Sequence, residues 1–392
     1  MPKHGMWSKV AIGGIAVAAM LTATACSSSG SGDDNPATTP AGGGSSSPSA
    51  PPASSESSSG SGAPDGGGAK VGIILPDTQS SARWANADAP ALAAQCKVVN
   101  LDCDIQNAQN DPAKMRTIAQ SMENNGIKVL MITNLDAASG ATILKEATSK
   151  GITTVDYDRL TPGGGAALYI SFDNVKVGEA QGTSLVNCPQ VKGKDAIKYV
   201  DLNGAPTDNN ATLFKQGYDS VLSKTAGWTK LADQSVPKWD NQQAGVIFGS
   251  MLNQHKDINA VMVANDGMAN SVIGALKNQG LAGKVAVSGQ DATGQGLQHI
   301  LDGDQCFTIY KPSKEEAIPA INAIAQLVKG DIPATTATVQ DPDTKAEVPA
   351  ILATPTPITI DNVALPINDN YTPKTDVCTG AYVAKCTAAG VK

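Results

Sequence analysis

Six short stretches of this chain set charged, amide or aromatic side chains just past apolar, β-branched runs. They are Ser81-Ala82-Arg83-Trp84, Asp156-Tyr157-Asp158-Arg159, Asp208-Asn209-Asn210, Asn265-Asp266, Gly289-Gln290-Asp291 and Tyr310-Lys311-Pro312. In parallel α/β architecture the carboxyl ends of the strands are where ligands bind. Planar donors and acceptors with a few rings suit a small polyhydroxylated ligand. Each hydroxyl of such a ligand both donates and accepts, and the CH face of a sugar ring packs on an aromatic. As a set, the stretches point to a sugar-binding site.

The candidate roles divide by side-chain chemistry. Arg83 carries a planar fork of donors that can grip two oxygens at once, and Trp84 beside it can stack on a ring. The competing reading is a solvated arginine at a helix start next to a core tryptophan. Asp158 and Arg159 follow the apolar run 152–155 and precede Gly163-Gly164-Gly165. That triple glycine is not a phosphate loop, because no Lys-Ser/Thr follows it. Asn209 and Asn210 present paired amides, although either would serve equally as a helix cap. Asn265 and Asp291 end two further strands, Lys311 follows a third, and Trp239 stands where it could close one side of a pocket.

No enzyme constellation emerges. His4, His255 and His299 are scattered. No cysteine–histidine spacing suggests zinc, and no Gly-x-Ser-x-Gly elbow is present. Asp302-Gly303-Asp304 and Asp341-Pro342-Asp343 lack the calcium-loop pattern. The expectation is a binder with no catalytic residue, no metal and no cofactor.

The elements that must position these residues alternate from Lys70 onward. Apolar strands are predicted at 71–75, 128–133 and 152–155, with a weaker one at 104–107. Between them, helices are predicted at 85–95, 111–125 and 141–150. The second of these opens on Asp111-Pro112 and repeats Met115, Ile118, Ala119 and Met122 at helical spacing. A second run of units begins near Gly178, with strands at 196–200, 260–264, 285–288 and 307–310. Its helices are predicted up to 186 and at 211–222, 244–253, 271–278, 297–301 and 314–329. Two sets of strand–helix units imply α/β architecture with two doubly wound parallel-sheet lobes. The stretch 354–392 reads as a crossover and an irregular, stapled tail.

Composition bounds the setting. The chain has 392 residues, a net charge of −7 and a sequence pI near 5.0, without a basic stripe, which argues against nucleic acid as a partner. Residues 1–25 read as an export signal, with Lys3 and Lys9 ahead of an apolar run. Ala23-Thr24-Ala25 before Cys26 resembles a bacterial lipoprotein signal, so Cys26 is the expected lipidation site. Residues 26–69 are nearly all Ser, Gly, Pro, Ala and Thr, a stalk too polar to bury a core, with a reach of about 35–40 Å. Beyond Cys26, six of the seven cysteines remain. Cys96–Cys103 and Cys378–Cys386 close locally, leaving Cys188–Cys306 at long range. Six cysteines allow fifteen pairings, so sequence leaves the connectivity open.

The stretches SSARW (80–84), YDRL (157–160), YISFDNVKVGE (169–179), DNNATLF (208–214), VSGQDA (287–292) and IYKP (309–312) resemble those of the D-xylose-binding and related monosaccharide-binding components of ABC importers. The resemblance spans about residues 70–370. It implies the type 1 periplasmic binding fold, two lobes joined by three hinge crossings. The first lobe is expected at 70–172 and 312–345, the second at 173–311 and 346–392. It further implies that Arg83, Trp84, Asp158, Arg159, Asn210, Trp239, Asn265, Asp291 and Lys311, with Asn209 beside them, hold a monosaccharide in the cleft. D-xylose is the first expectation. Alternatives are a broader receptor for glucose, galactose or arabinose, or a sensor that presents its sugar to a signalling receptor. The expected partners are a membrane permease and, through the lipid, the outer face of a Gram-positive cell membrane. The protein is expected to act as a monomer.

Overall fold

The computed structural model describes residues 62–392. The expected signal segment, Cys26 and the stalk as far as residue 61 lie outside the described residues. From Asp65 the chain is docked rather than free. Gly66 and Gly68 donate to the carbonyls of Val99 and Asn100, and Asp65 accepts from the Asn100 side chain. The expected stalk therefore ends before residue 69.

The first set of units runs β1 (Lys70–Leu75), α1 (Ala89–Val98), β2 (Asp102–Asn107), α2 (Pro112–Asn124), β3 (Val129–Ile132), α3 (Ala137–Ser149), β4 (Thr153–Tyr157) and β5 (Leu168–Phe172). Local chemistry explains the helix starts. Asp111 accepts from the backbone N–H groups of Ala113 and Lys114, Pro112 opens α2, and Met115, Ile118, Ala119 and Met122 are its buried stripe. One turn of π-helix, Trp84–Asp88, precedes α1.

The chain then enters the second set. It runs α4 (Asn174–Val186), β6 (Ile197–Asn203), α5 (Asn209–Leu222), β7 (Trp228–Ser235), α6 (Asn241–Gln254), β8 (Ala260–Val263), α7 (Asp266–Asn278), β9 (Ala286–Val287), α8 (Gly294–Asp302) and β10 (Thr308–Tyr310). It returns through α9 (Ser313–Leu327), β11 (Ala337–Gln340) and β12 (Glu347–Ala353), then crosses again into β13 (Thr356–Ile358). The tail adds α10 (Leu365–Asn368), α11 (Lys374–Val377) and α12 (Tyr382–Ala388).

The sheets assign these elements to two lobes. One sheet has the order β11-β12-β5-β4-β3-β1-β2, parallel except for the β11–β12 hairpin. The other, β7-β6-β8-β9, is wholly parallel. Parallel order demands crossover helices on both faces, which is why the inner strands β1, β3, β4, β5, β6 and β8 are buried. Three connections pass between the lobes: β5 to α4, β10 to α9, and β12 to β13. The antiparallel pair β10–β13 lies alongside them.

The third crossing corrects the expected boundary. Residues 346–353 do not belong to the second lobe, because β12 pairs in parallel with β5, from Ala350–Tyr169 to Ala353–Phe172. Val348 and Ala350 fill a small core with Leu160 and Tyr169, and that apolar contact holds β12 on the first sheet. The tail beyond Ile358 packs on the second lobe, with Val363, Ile367, Tyr371 and Val377 against Leu297, Ile300 and Tyr310. Disulfides join Cys96 to Cys103, Cys188 to Cys306 and Cys378 to Cys386. Among the described residues no helix is long and apolar enough to cross a membrane.

Candidate functional site

The carboxyl ends of strands from both sheets meet around one small polar cavity. Its wall brings together Trp84, Asp158, Arg159, Asn210, Trp239, Asn265, Asp291 and Lys311. Two of the candidates fall outside it. Asn209, in the first turn of α5, is half-buried and does not line the cavity. Arg83 does not line it either, because its fork is already engaged. It donates to both oxygens of Asp88 at 2.8 and 2.7 Å, to Asp158 at 2.9 Å and to Glu316 at 2.7 Å. Its guanidinium lies 4.5 Å from the centre of the Trp84 ring, so it acts behind the wall as a support.

Asp158 is the pivot of the first lobe's half. It follows β4 directly and takes a left-handed φ of 61°, a conformation that a non-glycine residue keeps only under constraint. The constraint is visible. Its carbonyl accepts from Tyr169 Oη at 3.0 Å, Ser171 Oγ at 2.7 Å and Asn210 Nδ2 at 2.8 Å. Burial alone would raise its carboxyl pKa, but Lys311, Arg83 and Arg159 outweigh burial and hold it below the usual range. Next to it, burial, the Asp158 charge and Asp88 push Glu316 well above its ordinary value in spite of Arg83. Arg159 reaches across the cleft, pairing with Asp208 at 2.9 Å and donating to the Asn134 carbonyl at 3.0 Å.

The second lobe contributes helix starts and a loop. Asp208 caps α5 through the Asn210 N–H and also accepts from Trp239 Nε1 at 3.0 Å. Trp239 packs against bare backbone, since a Cβ on Gly204 would sit 2.1 Å from the indole ring. Asn265 caps α7 with its oxygen and, with its amide, donates to the carbonyl of Ser80 in the first lobe at 2.9 Å. Asp291 takes a φ of 90° and receives Lys311 Nζ at 3.3 Å; the same ammonium lies 3.8 Å from Asp158. Gln290 Oε1 is a buried acceptor without a hydrogen-bond partner, whereas Asp291 Oδ1 is the oxygen that faces the Lys311 ammonium. An acceptor left without a partner, beside a small polar cavity, suits a ligand hydroxyl that donates.

Sequence reasoning left out Ser80, Ser81, Asp208, Phe214 and Gln290, which also line the cavity. Asp208 and Gln290 stood inside the marked stretches. Phe214 had a usable signal, because it lies four residues past Asn210 on α5 and so shares its face. Ser81 also stood inside a marked stretch, and Ser80 carried no signal beyond adjacency to it.

The residue types, the two half-sites and the interlobe bonds describe a clamp around a polar solute. The comparisons agree. Residues 71–332 match the family model for the periplasmic binding protein domain. The chain belongs to this family. It is one of substrate-binding proteins rather than enzymes. The chain is 33% identical over 299 residues to the D-xylose-binding periplasmic protein of Escherichia coli, covering 75% of this chain and 88% of that one. It is 30% identical to a multiple sugar-binding periplasmic receptor of Rhizobium radiobacter, covering 73% and 85% respectively. A carbohydrate transporter solute-binding protein from Chloroflexus aurantiacus, solved with D-glucose, superposes with a TM-score of 0.69 at 26% identity. That match covers 78% of this chain and 97% of that one.

Proposed function

We propose that this periplasmic binding protein is the extracytoplasmic receptor of a sugar importer and that its cleft takes one monosaccharide, D-xylose first. The reading rests on one observation, the polar cavity shared by both lobes, with indole and phenyl rings beside amides, carboxylates and two cations. Trp84, Trp239 and Phe214 flank the ring. Asp158, Arg159, Asn210, Asn265, Asp291 and Lys311 take its hydroxyls. Lobe 1 comprises residues 70–172 and 313–353, and lobe 2 comprises 174–310 and 356–392. The sugar bridges them and shifts the population toward the closed form, which then engages a permease. Relatives that bind D-xylose and several sugars support a pentose or hexose ligand. Cys26 carries lipid, residues 27–64 tether the domain to the outer face of a Gram-positive membrane, and the receptor acts as a monomer.

Closure explains selectivity. A buried acceptor that meets no hydroxyl loses about 1–3 kcal/mol, so an epimer or deoxy-sugar is rejected by the partner it leaves unpaired. Calorimetric titration with D-xylose, L-arabinose, D-ribose, D-glucose and D-galactose tests the reading. D-xylose is expected to bind at least tenfold more tightly than D-ribose. Absence of heat with every sugar would overturn the assignment.

A further inference from the structure

Two aspartates, one on each lobe, leave their strands in a left-handed conformation beside Lys311, but they are braced differently. The Asp158 carbonyl is held by Tyr169 and Ser171 from β5, a neighbouring strand of its own sheet. At Asp291 the strand alongside is β10, which accepts from the Asp291 N–H through the Ile309 carbonyl at 2.8 Å and from the Ala292 N–H through Thr308 Oγ1 at 3.1 Å, but it sends no donor to the Asp291 carbonyl. The loop's carbonyl donors come from the far end of the chain. Tyr371 Oη donates to the Asp291 carbonyl at 3.0 Å, and Thr372 Oγ1 donates to the Ala292 carbonyl at 2.7 Å. Asp291 and Ala292 both have positive φ, at 90° and 45°. Two consecutive non-glycine residues in that region need an external constraint.

The tail is built to supply it. Tyr371 and Thr372 are 8% and 5% exposed, so neither donor is free to wander. The Tyr371 ring stacks edge-on against Tyr310 at 4.9 Å, directly before Lys311 in the crossing. The Tyr310 hydroxyl is tied to Asp369, and Gln298 of α8 donates to the Val377 carbonyl at 3.0 Å. Asp291 also lines a second small cavity on the tail side, shared with Tyr371 and Thr372, so the loop is a thin wall between the ligand cavity and the tail.

We propose that Tyr371 and Thr372 are positioning residues for ligand binding, bracing the Asp291–Ala292 backbone so that Asp291 and Lys311 meet the ligand at a fixed height. The inference rests on Asp291 being a ligand contact in the reading above. The C-terminal tail is then a working part of the second half-site, acting through the loop without touching ligand.

The test titrates the full chain with D-xylose, D-glucose and the monodeoxy-D-xyloses, comparing wild type with Tyr371→Phe, Thr372→Val and Asp291→Asn. Each tail variant is expected to weaken D-xylose binding about three- to tenfold, the range of one net hydrogen bond. The loss should vanish in the Asp291→Asn background. It should also vanish for whichever deoxy-sugar Asp291→Asn binds as well as wild type does. A general loosening would weaken every sugar equally in both backgrounds, and that result, or unchanged affinity, overturns the proposal. Amide exchange at Asp291 and Ala292 is read in parallel without sugar. It should accelerate at least tenfold in Tyr371→Phe and in Thr372→Val, so two variants cover the failure of one to fold. Unchanged exchange refutes the brace, whereas faster exchange in a protein that binds no sugar refutes only the ligand reading.

Discussion

The two halves of the cleft solve one problem in opposite ways. The first lobe's half is saturated along the cavity wall, with Glu316 Oε1 behind it buried and without a donor. Arg83 holds Asp88, Asp158 and Glu316, and Arg159 holds Asp208 and the Asn134 carbonyl. The second lobe's half is left short at Gln290, whose Oε1 is buried without a hydrogen-bond donor, while Asp291 Oδ1 faces Lys311 Nζ at 3.3 Å. A saturated half is rigid before ligand arrives and presents fixed charge. An unsaturated half carries a desolvation penalty that ligand hydroxyls remove. Affinity and stability should therefore respond together to substitutions in the first half and separately in the second.

The largest expected effect is at Asp158. Asp158→Ala removes an acceptor from Arg83 and the first lobe's counter-charge for Lys311. Sugar affinity should fall at least tenfold, and unfolding free energy by about 1–3 kcal/mol. Arg159→Ala should likewise lower affinity at least tenfold, since it opens the Arg159–Asp208 bridge across the cleft. Titration and denaturant unfolding of the same samples check both, and unchanged sugar titrations in both variants would remove these residues from the site.

Gln290→Leu provides the contrasting measurement. It deletes an unpaired buried acceptor, so sugar affinity should fall about five- to tenfold while the sugar-free protein unfolds at the same denaturant concentration or a higher one. A parallel loss of both quantities would show that the second half is also saturated in solution, and the distinction between the halves would disappear.

Much of this organisation was legible in the sequence because strand ends are marked by chemistry. Asp158, Asp291 and Lys311 each follow an apolar run, and a parallel sheet brings such ends to one edge. Arg83 was read as a ligand contact rather than as a support, because its carboxylate partners Asp88, Asp158 and Glu316 come from three separate segments. Strand β7 went unread, since Trp228–Ser235 is half-exposed at a sheet edge and polar at Lys230, Asp233 and Gln234. The third crossing was misplaced because Glu347–Ala353 carries a proline and a short alternating pattern that identifies a strand only once β5 stands beside it. The tail looked irregular, and its hydroxyl contacts to the Asp291 loop depend on tertiary placement alone.

The smallest expected effect compares a matched pair behind the site. Asp156 in the first lobe and Asp266 in the second are fully buried, and burial pushes both up to about 7. Asp156 accepts from the Thr161 N–H at 2.8 Å and hydroxyl at 2.6 Å, and Asp266 accepts from Gln305 and the Thr293 N–H, both at 2.8 Å. These bonds favour the charged form but do not overcome desolvation. A carboxyl raised on folding binds its proton more tightly in the folded state than in the unfolded one. Its stabilisation is complete below about pH 4 and is lost as pH rises through about 7. Asp158, held low, works in the other sense and loses its contribution only as pH falls below the ordinary carboxylate range. Unfolding free energy should therefore decline from pH 5 to pH 8, by on the order of 1 kcal/mol for each of the two groups. Asp156→Asn and Asp266→Asn should each flatten that slope by a similar amount, because an amide keeps the shape and has no proton to lose. If only one does, the two lobes differ in how much water reaches the back of the cleft, and the lobe whose variant flattens the slope is the drier one.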